Sequence, residues 1–260
     1  QGGAVDPGQH PWLIALAGFG ASYGDYAGYF RHFASYGILV VGLQTRAPGT
    51  VAEHDKEALE VSESLTWLLE ASDFREHLNP DQIALTGHSK GGKVSFFAAA
   101  IDPRVDIVFA WDPSNAGGPP CGIADEKTCN GLPVAPNCRA EQAEVALSSG
   151  VLHLMRAQTF VFGVPPDSAF NPTPEHNASH FYRGAPSPAT LISFSGSHAA
   201  WVSDGLAGIV GDPNIIRITR AVQTAKLLSL FFEAQGVSAY LPGGDYLTKQ
   251  GSVVTGVLSK

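Results

Sequence analysis

The stretch Gln82–Ser95, Gln-Ile-Ala-Leu-Thr-Gly-His-Ser-Lys-Gly-Gly-Lys-Val-Ser, constrains the chain more than any other. Ile83, Ala84 and Leu85 read as a short buried strand. Gly87-His88-Ser89-Lys90-Gly91 then fits Gly-x-Ser-x-Gly, and Val94, Phe96, Phe97 and Ala98–Ala100 read as a packed helix. Strand, sharp turn and helix are the setting in which this pentapeptide becomes a nucleophile elbow. The turn forces Ser89 into strained backbone geometry and admits only small residues two positions to either side, where Gly87 and Gly91 stand. It lifts Ser89 Oγ to the top of a sheet and turns the Lys90 N–H toward the same spot. The same residues also approach a phosphate-binding loop, Gly87-x4-Gly92-Lys93. Val94, however, occupies the position where Ser or Thr must ligate magnesium, and Ser95 comes one residue late. Nucleotide binding is the remote alternative.

A chain of 260 residues with 44% hydrophobic content is long enough to bury a sizeable core, and one α/β domain over residues 1–260 is the simplest expectation. The net charge of −8 and the lack of a basic run argue against nucleic acid. No apolar run reaches the length of a transmembrane span, and no charged-then-apolar pattern at the start suggests a targeting peptide. Cys121, Cys129 and Cys138 share one Gly/Pro-rich stretch. One disulfide plus a thiol, or three thiols, fit equally well, and their spacing matches no zinc motif. Asn177-Ala178-Ser179 is a glycosylation sequon that matters only in a secreted chain. The residues leave the compartment open.

Along the chain, Trp12–Ala17 reads as a strand ended by Gly18-Phe19-Gly20. Tyr23, Tyr26, Phe30 and Phe33 then recur at helical spacing. Ile38–Leu43 is an all-apolar strand of the parallel-sheet kind. Ala58, Val61, Leu65 and Leu68 mark an amphipathic helix with Glu57, Glu60 and Glu63 outward. After the elbow helix, Val105–Trp111 is a strand ended by Asp112-Pro113. Residues 114–150 read as a lid or a long loop. Gln158–Val164 and Leu191–Phe194 are further strands, with a short helix near Ala178–Arg183 between them. Ile215 through Phe232 give a long closing helix, and the tail from Gly236 forms a hairpin or irregular chain. Strands alternating with helices predict a mostly parallel sheet with helices on both faces, the α/β-hydrolase arrangement, with ligands at the carboxyl edge of the strands.

A serine hydroxyl needs a base within hydrogen-bond reach, and the base needs an orienting carboxylate. In this fold the chain order is Ser, acid, His. His198 follows the last clear strand within Gly196-Ser197-His198 and is the expected base. Asp112 and Asp167 both follow core strands and are equal candidates for the acid, with Asp204 weaker. The oxyanion formed during acyl transfer needs two N–H donors. Lys90 supplies one, and Phe19, on the loop after the first strand, is expected to supply the other. Phe19 and His88 are also expected to touch substrate. His176 and His180 lack the glutamate and third ligand of a zinc site, so no metal or cofactor is expected.

The segment Gly87–Lys93 resembles the chlorophyllase version of the serine-hydrolase motif, with Lys90 where that family usually has Arg. Gly18-Phe19 resembles its oxyanion loop, although Ala17 replaces the usual His. Asp112-Pro113 resembles the Asp-Pro that carries the family's acid, and Gly196-Ser197-His198 its base segment with one residue inserted. Asn177–Phe181 is similar to an Asn…Phe segment before the last strand. The likeness is motif-deep over roughly residues 12–235. It implies cleavage of phytol from a chlorophyll-type ester, a chloroplast setting, and Asp112 as the acid. Platelet-activating-factor acetylhydrolases are similar in placing their acid after the same strand. Cutin- and polyester-degrading esterases share the elbow and a Gly-aromatic loop, so they stand as alternatives.

Overall fold

The computed structural model describes residues 8–45, 54–115, 128–129, 132–133, 150–165, 177–204 and 211–260. Strands β1 (His10–Leu16), β2 (Leu39–Leu43), β3 (Leu78–His88), β4 (Ile107–Trp111), β7 (Gln158–Gly163), β8 (Ala189–Phe194) and β9 (Val254–Ser259) form one sheet in the order β2-β1-β3-β4-β7-β8-β9. Every pairing is parallel except β8 with β9. A separate two-residue pairing joins β5 (Thr128–Cys129) and β6 (Leu132–Pro133). The rest of the stretch expected to be a lid or loop, its other two cysteines included, lies outside the described residues, as does Asp167.

Alternation along the strands explains why they are apolar throughout. Side chains point to opposite faces in turn, and here both faces are covered. Trp12, Ile14, Leu16, Leu85 and Val108 pack on α2 (His54–Glu70) and α3 (Lys90–Ile101). Leu13, Ala15, Phe109, Trp111 and Phe162 pack on α1 (Ala27–Ala34) and α5 (Pro213–Phe231), the short α4 (Ala178–Gly184) lying between β7 and β8 in sequence. At the start of α5, Asp212 caps the helix by accepting from the Asn214 and Ile215 N–H groups at 2.8 and 3.2 Å, and Pro213 opens the first turn.

Four expectations change. Strand β2 is parallel to β1 but lies at the sheet edge, so its residues are only half-buried. The aromatic stripe slips because a 3-10 turn over Tyr23–Tyr26 precedes α1 and alters the phase. Tyr26, Tyr29 and Phe33 are buried, Phe30 is partly so, and Tyr23 is exposed. Glu57 does not face outward on α2 but is buried. The tail from Gly236 forms a 3-10 turn, α6 (Asp245–Thr248) and then β9, which closes the sheet antiparallel to β8.

Candidate active site

The elbow has the geometry its glycines imply. Ser89 sits at φ 55° and ψ −121°, a conformation that L side chains rarely adopt and that costs on the order of 1–3 kcal/mol. The surroundings over-determine it. Its N–H donates to the Trp111 carbonyl at 2.9 Å, and its own carbonyl accepts from the Lys93 and Ser114 N–H groups, each at 3.2 Å. A Cβ on Gly87 would collide with the Gly91 backbone. One on Gly91 would run into the carbonyls of Leu16 and Ala17 at the end of β1. The first turn of α3 is thus pressed against β1, which only glycine permits.

Above this edge the structure brings together three side chains that are far apart in sequence. His198, in a 3-10 turn (His198–Trp201) after β8, places Nε2 2.8 Å from Ser89 Oγ. Its Nδ1 lies 2.6 Å from Asp112 Oδ2. A carboxylate only accepts, so Nδ1 carries the ring proton and Nε2 is left to accept from the serine hydroxyl. All three residues are buried. Asp112 owes its aim to β4 and β7. Its N–H donates to the Phe162 carbonyl at 2.6 Å, its Oδ1 accepts from the Val164 N–H at 3.2 Å, and its backbone takes φ 41° as it leaves the strand.

Asp204 is engaged elsewhere. It accepts from the Gly28 N–H at 2.6 Å and from Arg31 at 2.9 Å, tying the segment after His198 to α1. Burial pushes its carboxyl up, but the hydrogen bonds from Ser203, the Gly28 N–H and Arg31, with the Arg31 charge, together outweigh it and hold the carboxyl below the usual range.

The Gly18–Gly20 loop lies against the serine, because a Cβ on Gly18 would come within 3.3 Å of Ser89 Cβ and 3.1 Å of His88 Nδ1. The Phe19 side chain is 37% exposed, open to an incoming molecule. Lys90 is the first residue of α3, where backbone N–H groups point out of the helix end. Its side chain runs the other way, into the protein, and its ammonium meets Glu57 Oε2 at 2.8 Å. Thr45 also donates to Glu57 Oε2. Sequence reasoning missed this pair because Glu57 falls on what a helical wheel marks as the polar side of α2. The one available signal was an unmatched Lys at the elbow.

His88, expected to touch substrate, is turned inward. It is 6% exposed, and both ring nitrogens are used inside the protein. Lys93, the lysine of the phosphate-loop look-alike, is wholly buried with its ammonium 5.3 Å from the Phe97 ring centroid, so it does not extend over the turn. Asn177, the sequon residue, is 2% exposed and caps α4 by accepting from the Ser179 N–H at 2.9 Å.

Residues 4–110 match the family model described as Chlorophyllase. The chlorophyllase-like stretch is under half of the chain. It contains the Gly18-Phe19 loop and the whole elbow, whereas Asp112 and His198 lie beyond it. No curated protein matches the chain. The match and the seven-stranded, mostly parallel sheet agree on an α/β-hydrolase fold and support a hydrolase. No helix among the described residues is long and apolar enough to cross a membrane.

Proposed function

We propose that this chain is a serine carboxylesterase, chlorophyllase-like in substrate, that hydrolyses the phytyl ester of chlorophyll to chlorophyllide and phytol through an acyl-enzyme. The observation that carries this reading is the hydrogen-bonded chain from Ser89 Oγ through His198 to Asp112, at 2.8 and 2.6 Å. Ser89 Oγ attacks the ester carbonyl while His198 Nε2 takes its proton. The tetrahedral intermediate collapses, and His198 returns that proton to the departing alcohol. A water molecule, deprotonated by His198, then attacks the acyl-enzyme, and His198 passes that proton to Ser89 Oγ as the acid leaves. Asp112 holds the Nδ1–H tautomer and stabilises the imidazolium. The Lys90 and Phe19 N–H groups stabilise the oxyanion, and the Phe19 ring lines the acyl site. The reaction needs no cofactor or metal.

A cutinase- or polyesterase-like activity on another lipophilic ester is the second reading. It is favoured by the Gly18-Phe19 loop with Ala17 before it, in place of the chlorophyllase histidine. Fluorophosphonate labelling at Ser89 tests the chemistry, because only an activated serine reacts. A parallel assay on chlorophyll, p-nitrophenyl butyrate and a polyester film separates the substrates. Chlorophyllide release above the other two supports the first reading, and an unlabelled Ser89 removes both.

A further inference from the structure

His88 stands beside the nucleophile, yet its ring is turned inward. Its Nε2 lies 2.7 Å from the backbone carbonyl oxygen of His198, and its Nδ1 lies 2.8 Å from the Tyr26 hydroxyl. These two contacts define the tautomer. A carbonyl only accepts, so Nε2 carries the proton. Nδ1 therefore accepts, and Tyr26 Oη–H is the donor. The Tyr26 hydroxyl also lies against Gly18, one residue before Phe19, because a Cβ on Gly18 would come within 3.4 Å of it. A single directed chain thus runs from Tyr26, beside the Gly18 loop, through His88 to the main chain of His198. The His88 and His198 rings lie 4.8 Å apart, with the Trp201 ring 6.2 Å from His88 and the Trp111 ring 6.0 Å from Tyr26.

The direction of this chain matters, because every link has one donor and one acceptor. Burial pushes the Tyr26 hydroxyl well above its ordinary pKa, which keeps it a donor. Burial first, and the neighbouring His198 second, hold His88 down at about 3, which keeps it neutral. A neutral ring is what the site requires, since a second imidazolium against the His198 ring would oppose the charge that the base must take up.

We propose that Tyr26 and His88 are positioning residues: their hydrogen-bond chain clamps the His198 carbonyl and so holds the base imidazole in line with Ser89 and Asp112, in register with the oxyanion loop. This rests on the serine-esterase reading above. The imidazole hangs from a short 3-10 turn rather than from a strand, so its backbone needs an anchor that the sheet does not supply. A misplacement of about 1 Å at such a site costs on the order of 100-fold in rate.

The test uses the full chain with p-nitrophenyl butyrate, alongside fluorophosphonate labelling of the unaltered protein. His88→Leu removes both nitrogens and is expected to lower kcat by roughly 30-fold with KM within about twofold. His88→Gln keeps an N–H donor for the His198 carbonyl and is expected to recover kcat to within about threefold of the unaltered protein. Tyr26→Phe leaves His88 donating to the His198 carbonyl but removes the donor that holds Nδ1 and orients the ring, and a drop of about fivefold in kcat is expected. It also serves as the readout if His88→Leu does not fold. In the folded variants, the low-field proton resonance of the His198 Nδ1–H should shift or broaden. Unchanged kcat in folded His88→Leu or Tyr26→Phe, with Ser89 labelled normally, overturns the clamp alone. A rise confined to KM overturns it in favour of substrate contact. Failure of the unaltered protein to label removes the esterase reading and the clamp with it.

Discussion

The Glu57 carboxylate holds the Lys90 ammonium at 2.8 Å inside the protein, with 2% and 9% of the two side chains exposed. The pair ties the elbow to α2, since Lys90 is both the residue after Ser89 and the start of α3. Removing one side of a buried ion pair takes away charge compensation in a low-dielectric setting, which costs about 3–5 kcal/mol. Glu57→Leu is therefore expected to lower Tm by about 10 °C on a calorimetric scan. The double variant Glu57→Leu/Lys90→Met should recover most of that loss. Equal Tm values for Glu57→Leu and the unaltered protein would show that the charge is relieved in some other way.

Loss of any member of the Ser89–His198–Asp112 chain should lower ester turnover. Ser89→Ala and His198→Ala are each expected to reduce kcat on p-nitrophenyl butyrate by about 100-fold or more, with the fold retained by circular dichroism. Asp112→Asn, set beside Asp167→Asn, separates the two acids that their placement after core strands left equal and that the family resemblance resolved toward Asp112. A loss confined to Asp167→Asn would reassign the acid.

Gly91→Ala probes the contact between α3 and β1. Its Cβ meets the carbonyls of Leu16 and Ala17, both backbone groups that cannot swing aside. Overpacking of this kind costs about 1–3 kcal/mol, and the shift it forces moves the Lys90 N–H. Both stability and kcat should fall, read by urea denaturation and steady-state kinetics. A stable but slow Gly91→Ala would mean that the backbone relaxes at the expense of oxyanion geometry alone.

His88 gives stability a defined pH dependence. Its folded pKa of about 3 lies below the ordinary 6.5. Between those values the unfolded chain binds a proton at this residue and the folded chain does not. The contribution is therefore complete above about pH 6.5, falls by about 1.4 kcal/mol per pH unit as the medium is acidified, and is exhausted near pH 3. Urea titrations at several pH values in this window should give a steeper loss for the unaltered protein than for His88→Gln. Parallel slopes would mean that residue 88 is already solvated in the folded state.

Local patterns made much of the fold readable. The apolar runs at Ile83–Leu85 and Val105–Trp111 have the composition of strands buried on both faces, and both lie at the centre of the sheet. Gly87 and Gly91 announced the elbow because no Cβ fits there. Strand β9 was hidden because Val254–Ser259 is short and mixed, and it pairs with β8 across the whole of α5. Glu57 was misread because helical periodicity reports an average face and carries no information about a cation arriving from another element.

What the sequence determined by itself was the order of strands and helices, and the turn that presents Ser89. Both follow from backbone sterics and hydrophobic periodicity, which act over a few residues at a time. Only the tertiary structure decided that Asp112 meets His198, that Asp204 is spent on Gly28 and Arg31, and that His88 turns toward the main chain of His198. Those outcomes depend on groups 86 to 176 residues apart meeting within hydrogen-bond distance. The sheet supplies that proximity by gathering the carboxyl ends of its parallel strands on one edge.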